Sequence, residues 1–311
     1  MLAVLVVVIA TNIDEVKKLL ELLQDAKPAW LFGALGLQVG TYVCAGAVWA
    51  MVLRAEGHRQ PVPVLARFSI EQLSVNQLMP TSGLMGNVVV LRAMRRRGVP
   101  APLAVEAIVA GALSHYAAFA IAAAAAVAFL WSRGDLTPIV LWLVSVAAVV
   151  IAAFVCGIVW ILYHRRWKAP AWIRRYGVLS RFLDDISAMT AKRVRSPLFL
   201  ARATAVQCCI FVLDGMTLWA VLEALGTHAD PWTAFTAAVV ASIAATVSFL
   251  PGGLGSYEAA CTGTLTLLGV PLAAALAGTL LLRGLALWLP LIPGFLLARQ
   301  EVAGKQLHPD A

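Results

Sequence analysis

The sequence predicts an all-α polytopic membrane protein containing an inverted repeat of span, broken re-entrant hairpin and span, plus one central span and two interfacial amphipathic helices. The composition is 61% hydrophobic and only 13% charged, and the mean hydropathy is +0.85, values that no ordinary soluble domain has. A span needs about 20 apolar residues. Five uninterrupted apolar runs reach that length: residues 28–54, 101–131, 137–163, 198–226 and 271–298. Two further apolar runs are interrupted by Pro and Gly.

Residues 1–27 are predicted to form an N-terminal stub and an interfacial helix. Met1 to Ala10 is apolar but covers only about 15 Å as a helix, so it is either the end of a fuller first helix or a partly inserted stub. The following residues place an apolar face opposite a charged one, as a helix lying in the headgroup layer does. The apolar positions are Ile13, Val16, Leu19, Leu20 and Leu23.

Residues 28–131 are predicted to form the first repeat, with a re-entrant hairpin at 62–94. Pro80, Gly83 and Gly86 interrupt that run. Non-helical backbone at bilayer depth persists only where protein buries it or where it lines a polar cavity. These three residues are therefore candidate substrate-binding positions.

Residues 132–197 are predicted to hold the central span and a long basic loop. Inside that loop a second amphipathic helix is expected to rest on the membrane surface. Its apolar face consists of Leu179, Phe182, Leu183, Ile186 and Met189.

Residues 198–299 are predicted to form the second repeat, with a re-entrant hairpin at 231–268, and residues 300–311 a cytoplasmic tail. A shift of 171 residues brings Pro80 onto Pro251, and Gly98-Val99-Pro100 onto Gly269-Val270-Pro271. Three crossings separate the two breaks, so the second unit is predicted to be inverted. Inverted repeats with broken helices are typical of transporters, although duplication for stability alone gives the same pattern.

The basic residues predict orientation and partners. Lys17, Lys18, Lys27 and Arg133 fall on one side of this topology, and most other Lys and Arg residues fall in loops on the opposite side, which we assign to the cytoplasm of the plasma (inner) membrane. The net charge of +8 is then topological, and no nucleic acid is expected as a partner. The cysteines lie in apolar runs without metal spacing, so neither disulfides, a metal nor a cofactor is expected.

The second break carries the most specific candidate site. Arg283 lies too deep in the last span to reach the interface easily, so we interpret it as an anion ligand. Glu258 is expected to pair with it when no substrate is bound, or to form a permanent structural ion pair with it. The glycines that follow Pro251 allow close backbone approach and leave amide groups at a new helix N-terminus, which suits phosphate. These glycines are Gly252, Gly253 and Gly255.

Three further polar residues are candidates. Asp214 lies in mid-span and His115 in another span, and either is a candidate for proton coupling. A helix-packing carboxyl and a hydrogen-bonded interior histidine remain the alternative interpretations. Arg92 begins a basic cluster that would recruit anionic headgroups at the cytoplasmic mouth, although topology alone also explains it.

The string Leu250-Pro251-Gly252-Gly253-Leu254-Gly255-Ser256-Tyr257-Glu258, followed by Gly269-Val270-Pro271 and Arg283, resembles the lysylphosphatidylglycerol synthase transmembrane region family. That family includes the flippase half of bacterial multiple peptide resistance factors and stand-alone proteins of hopanoid, glycolipid and polyprenyl-phosphate pathways. The resemblance spans about residues 28–299. It implies that Pro251, Gly252, Gly253, Gly255, Glu258 and Arg283 occupy the family's characteristic positions.

The chain also departs from the family pattern. The first break is looser, and Ala112 stands at the position equivalent to Arg283. The start is shorter than the family's usual first helix. About a dozen residues follow the last span, so the aminoacyl-transferase domain of the resistance factors is expected to be absent.

Sequence and resemblance together predict a lipid flippase rather than an enzyme. The substrate would be a phosphate-bearing lipid: an anionic or aminoacylated phospholipid, or a polyprenyl-phosphate-linked lipid. The alternatives are a non-catalytic accessory protein of a lipid, glycolipid or hopanoid pathway, or a membrane enzyme acting on lipid phosphate. Membrane lipids with anionic headgroups are the expected partners, and a homo-oligomer or a separate lipid-synthesising partner remains open.

Overall fold

The described residues of the computed structural model, 24–78, 84–163, 192–248 and 251–288, are built from α-helices joined by short turns. Four helices of the described chain are long and apolar enough to cross a bilayer, which confirms the all-α polytopic membrane fold. The helices are α1 (Pro28–Ala55), α2 (Val62–Leu78), α3 (Leu84–Arg96), α4 (Ala101–Arg133), α5 (Pro138–Tyr163), α6 (Pro197–Ala224), α7 (Pro231–Val247), α8 (Ser256–Leu267) and α9 (Leu272–Arg283).

The four long helices, α1, α4, α5 and α6, match four of the five predicted spans. The fifth predicted run begins as α9, which has 12 residues and continues into a π-turn at Gly284–Trp288. The rest of that run, the N-terminal stub, most of the first amphipathic helix and the whole second one lie outside the described residues.

Helices α2, α3, α7 and α8 are the arms of the two interrupted runs. They have 17, 13, 17 and 12 residues, which gives helices about 18 to 26 Å long. A hydrocarbon layer is about 30 Å thick. The arms pack in pairs, α2 on α3 and α7 on α8, as two hairpins would.

The repeated Gly-Val-Pro triplet ends a helix in the same way in both units. Gly98 and Gly269 adopt left-handed backbone with φ of 78° and 92°, which glycine accommodates without strain. The Val99 N–H then donates to the Met94 carbonyl at 3.2 Å, and the Val270 N–H donates to the Leu265 carbonyl at 3.0 Å. The following prolines, Pro100 and Pro271, come directly before α4 and α9.

Each unit has its own apolar core. One cluster is formed by the four helices α1, α2, α3 and α4 and includes Leu53, Leu65 and Val90. Another is formed by α6, α7, α8 and α9 and includes Leu222 and Leu265. Helices α1 and α6 pack extensively on each other and connect the units. Under the 171-residue shift the helix bounds of the two units agree to within two residues wherever both ends are defined. The inversion of the second unit stays a prediction.

The end of the basic loop is anchored to the first unit through a buried carboxylate. Glu106 is only 4% exposed, and its Oε1 accepts from the Arg193 backbone N–H at 2.6 Å. The Arg193 guanidinium donates to the Ala55 carbonyl at 2.8 Å and to Glu56 at 3.0 Å. Val194 is buried in the apolar core of the first unit.

Glu106→Ala is therefore expected to destabilise the protein, because it leaves a backbone donor without its acceptor. The expected cost is about 1 to 3 kcal/mol, measured as a lower thermal unfolding midpoint in detergent. The control is Glu71→Ala, which removes a more exposed pair with Arg67 on one helix and should cost about 0.5 kcal/mol or less. Equal effects of the two variants would contradict the anchoring role.

Candidate functional site

The second hairpin turns through glycines in left-handed backbone. The turn Pro251–Gly253 is a short 3-10 helix, and Gly252, Gly253 and Gly255 have φ of 62°, 65° and 86°. A Cβ on Gly253 would collide with the side chain of Ala245 on α7. The turn therefore lies directly against α7, and its path requires glycine at Gly253 for two independent reasons.

Glu258 closes the N-terminus of α8. Its Oε2 accepts from the Gly255 backbone N–H at 2.7 Å. This is the carboxylate half of a capping box, in which the third residue of a helix bonds back to the N-cap amide. The N-terminus of a helix carries partial positive charge, so it favours the carboxylate electrostatically as well.

Arg283, at the end of α9, binds the same carboxylate and the turn. Its Nε donates to Glu258 Oε1 at 2.8 Å, and its Nη2 donates to the Gly252 carbonyl at 2.7 Å. The residue is 8% exposed, and its guanidinium carbon lies 4.5 Å from the ring centroid of Tyr257. Arg283 thus joins α9 to the turn and to the first helical turn of α8.

The two oxygens of Glu258 are held by a guanidinium and by a helix N-terminal amide. These are the donors with which proteins most often bind phosphate. The Glu258 carboxylate is therefore the anion that these donors bind in this structure. We call this arrangement of Gly252, Gly255, Glu258 and Arg283 the anion site. The site is one that a phosphate group could enter if Glu258 moved aside.

The structure brings the second-break candidates together. Gly252, Gly253, Gly255, Glu258 and Arg283 form this one site, and the backbone of Pro251 begins its turn. Arg92 is exposed on α3, which packs on α2 and α4. Pro80 and Gly83 lie outside the described residues.

In the described part of the first hairpin, residues 62–78 and 84–96, no equivalent charged site is present. The Gly86 N–H donates to Asn76 Oδ1 at 3.0 Å, and a Cβ on Gly86 would lie 2.6 Å from the Gln72 carbonyl, so Gly86 serves close packing of α2 on α3. The 171-residue shift places Asn87 at the position of Glu258. Asn87 accepts from the Gln72 amide at 2.6 Å, and the equivalent of Arg283 is Ala112. The two hairpins thus differ in chemistry.

The first hairpin nevertheless contacts the anion site. Helix α2 packs against the turn Pro251–Gly253 and against the π-turn Gly284–Trp288 that follows Arg283. The arm of one hairpin therefore reaches the tip of the other.

Asp214 and His115 lie on the interior faces of different helix pairs. His115 stacks on Phe211 with ring centroids 5.3 Å apart and lies beside Gln207, as an interior histidine would. Asp214 lies on the face of α6 that packs against α1, beside Gln38. Its carboxylate also interacts electrostatically with the phenols of Tyr42 and Tyr257.

Three residues of this region were not predicted. Tyr257 precedes Glu258 in the motif, and its aromatic ring next to a proposed anion ligand is a signal that could have been used. Gln38 and Tyr42 are polar groups in an otherwise apolar span, spaced one helical turn apart. That spacing marks an interior face of α1.

The family to which this chain belongs follows from a match to a family model. The model of the family described as the lysylphosphatidylglycerol synthase TM region matches residues 1–294. This chain belongs to that family. The resemblance inferred from the Pro-Gly-Gly motif is thereby confirmed, and the family's membrane region includes both hairpins described above.

One curated relative of this family member is a glycosyltransferase. The chain is 25% identical over 319 residues to "Glycosyltransferase AglD" of Haloferax volcanii. The match covers 90% of this chain and 50% of the relative. This family member therefore spans about half the length of the curated relative it matches.

A substitution at Gly253 tests the geometry of the turn. Gly253→Ala should displace the hairpin tip, because the new methyl group collides with Ala245 and the left-handed backbone becomes strained, at a cost of about 1 to 3 kcal/mol. Gly263 lies in α8, and a Cβ added there would meet open space. Gly263→Ala should therefore be neutral or slightly stabilising. Thermal unfolding of both variants in detergent checks this; a Gly253→Ala protein as stable as the Gly263→Ala protein would contradict the geometry.

Proposed function

We propose that this protein moves a phosphate-bearing lipid between the leaflets of the plasma membrane and is not itself an enzyme. The lipid is an anionic or aminoacylated phospholipid, or a lipid carried on polyprenyl phosphate. The observation that carries the proposal is the Glu258 carboxylate held by Arg283 and the Gly255 amide. A partly buried anion site in a hairpin that we predict to enter the bilayer would serve to pass a charged headgroup.

In the proposed cycle, the lipid phosphate and Glu258 compete for the same donors. The phosphate takes the guanidinium of Arg283 and the N-terminal amides of α8, and the displaced Glu258 turns away. When Glu258 returns, it replaces the phosphate and releases the headgroup. The cost of leaving Arg283 unpaired is avoided in both states, because one anion replaces the other.

The headgroup would cross between the two hairpins while its hydrocarbon tails stay in the lipid. The contact of α2 with the Pro251–Gly253 turn supports this path, because it places both hairpins beside the anion site. The helix bounds that recur after 171 residues support a two-unit transporter. The proposal also keeps the basic loops, including the loop anchored through Arg193, on the cytoplasmic side.

The glycosyltransferase relative supports a second candidate function. A membrane region of this kind could serve lipid glycosylation as a non-catalytic accessory of a separate lipid-synthesising enzyme. The accessory function needs no lipid exchange. Exchange therefore distinguishes the two candidates.

The test is lipid exchange in proteoliposomes that contain the purified protein and a fluorescent phosphatidylglycerol. Wild type should make the inner-leaflet probe accessible to a membrane-impermeant quencher much faster than protein-free vesicles do. Fluorescent glucosylceramide, which has a polar headgroup but no phosphate, is the matched control lipid and should not be accelerated. Equal acceleration of both lipids would contradict a phosphate site, and failure to accelerate phosphatidylglycerol and polyprenyl-phosphate probes would favour the accessory function.

A further inference from the structure

A second polar cluster lies between α1 and α6, beside the anion site. Gln38 and Tyr42 of α1 are 3% and 4% exposed. The Gln38 amide nitrogen donates weakly to Thr41 Oγ1 at 3.3 Å, but among the described residues the Gln38 carbonyl oxygen Oε1 and the Tyr42 hydroxyl find no hydrogen-bond partner. Buried polar atoms are rarely left in this condition.

Asp214 of α6 faces this cluster. The Gln38 side chain lies beside its carboxyl group, and Tyr42 and Tyr257 lie within electrostatic range of it. Within the described part of the chain no Lys or Arg forms an ion pair with Asp214. Asp214 is the 18th of the 28 residues of an apolar spanning helix, so it lies well inside the bilayer.

The described elements that pack against α6 supply no positive charge to Asp214. Tyr42 faces it from α1 and Tyr257 from α8. His115 of α4 stacks on Phe211, one turn earlier on α6, and α7 contains no titratable side chain. Arg283 of α9 is engaged by Glu258 and the Gly252 carbonyl.

An unpaired carboxylate at this depth is costly, and a proton removes its charge. A protonated Asp214 also gains an O–H group, which is the donor that the buried Gln38 Oε1 lacks. When the proton leaves, rotation of the Gln38 amide can present its NH2 group to the carboxylate instead. Gln38 can therefore complement both protonation states of Asp214. The site is made of continuous helices with few oxygen ligands, which suits a proton better than a metal cation.

We propose that Asp214 and Gln38 form a proton-binding site that is coupled to the anion site through Tyr257. The Tyr257 ring lies against the Arg283 guanidinium, and its phenol is within electrostatic range of Asp214. Protonation of Asp214 removes one negative charge next to the anion site, so a phosphate binds there more readily. The proton and the headgroup then bind together and leave together. This coupling rests on the proposed function, but the proton site does not.

The proton site is tested by infrared spectroscopy on the protein in nanodiscs. The difference spectrum between wild type and Asp214→Asn should contain the carbonyl-stretching band of a protonated carboxyl group, and the band should disappear as the pH is raised. Asp230→Asn, which removes an exposed carboxylate just before α7, should retain the wild-type band. A difference spectrum without a titrating carbonyl band would overturn the site, whether or not the protein moves lipids. Gln38→Leu should shift the titration, because it removes the group that complements both states.

The coupling is tested in the proteoliposome assay with fluorescent phosphatidylglycerol. An imposed pH gradient should change the wild-type exchange rate by about fivefold or more, whereas the rate of Asp214→Asn should not respond to the gradient. Wild-type exchange that responds to a sodium gradient or to no gradient would overturn the coupling and leave the proposed function intact. If wild type exchanges no lipid, the proposed function and the coupling fall together, and the infrared band alone decides the proton site.

Discussion

Arg283→Ala is expected to abolish accelerated lipid exchange. The substitution removes the guanidinium that donates to Glu258 and to the Gly252 carbonyl, so the turn loses the cation that binds a headgroup phosphate in the proposed cycle. The expected loss is at least about 100-fold, since a charged hydrogen-bonding partner in a buried pair is worth about 3 to 5 kcal/mol. The measurement is the rate of fluorescent phosphatidylglycerol exchange in proteoliposomes.

The same substitution leaves Glu258 unpaired, so a loss of folding must be separated from a loss of function. The double variant Arg283→Gln, Glu258→Gln replaces the ion pair by two neutral amides and should fold while remaining inactive. Arg283→Lys keeps the charge but loses the planar donors, and partial activity is expected. Arg54→Ala removes an exposed arginine from the last turn of α1 and should retain exchange. A well-folded Arg283→Gln, Glu258→Gln protein with wild-type exchange would contradict the role of Arg283.

Glu258→Gln is expected to bind headgroups more tightly and yet exchange lipids slowly. The neutral side chain still accepts from the Gly255 amide but no longer neutralises Arg283, so the anion site is left positively charged. Phosphate binding should tighten by about tenfold, which corresponds to 1.4 kcal/mol, while release slows because the competing carboxylate is gone. Calorimetric titration with a short-chain phosphatidylglycerol measures the affinity, and the proteoliposome assay measures the rate.

The matched control for this variant is Glu223→Gln. Glu223 pairs with His228 near the end of α6, with 3.1 Å between Oε2 and Nδ1, and this pair lies outside the anion site. The affinity of the Glu223→Gln protein for phosphatidylglycerol and its lipid-exchange rate should both match those of wild type. Weaker binding by Glu258→Gln would show that the carboxylate does not compete with phosphate and that the ion pair is structural.

The anion site could be predicted because its components are local or short-range in the chain. The glycines after Pro251 and the carboxylate of Glu258 lie within eight residues, and a break in an apolar run identifies their place. The sequence links Arg283 to Glu258 because either charge alone in lipid has a high insertion free energy, and pairing lowers it for both. The free-energy cost of an unpaired charge in the hydrocarbon layer was enough here to infer a contact between residues 25 positions apart in the sequence.

The cluster around Asp214 could not be predicted in the same way. Asp214 lies beside Gln38 of α1, a helix that is separated from α6 by the rest of the first unit, the central span and the basic loop. Such a contact depends on how α1 and α6 pack, which side-chain shape and helix rotation decide rather than composition. Gly86 illustrates the same limit: the break in the run makes it a candidate substrate-binding position, but the pattern did not indicate that its amide donates to Asn76.

The central claim is that a lipid phosphate takes the place of the Glu258 carboxylate beside Arg283. The most direct measurement is a cryo-electron microscopy map of the protein in nanodiscs rich in phosphatidylglycerol, with Glu258→Gln used to hold the bound state. We expect headgroup density within hydrogen-bonding distance of the Arg283 guanidinium and the N-terminal amides of α8, with residue 258 turned away. Headgroup density elsewhere, with Arg283 still bonded to residue 258 and to the Gly252 carbonyl, would contradict the claim.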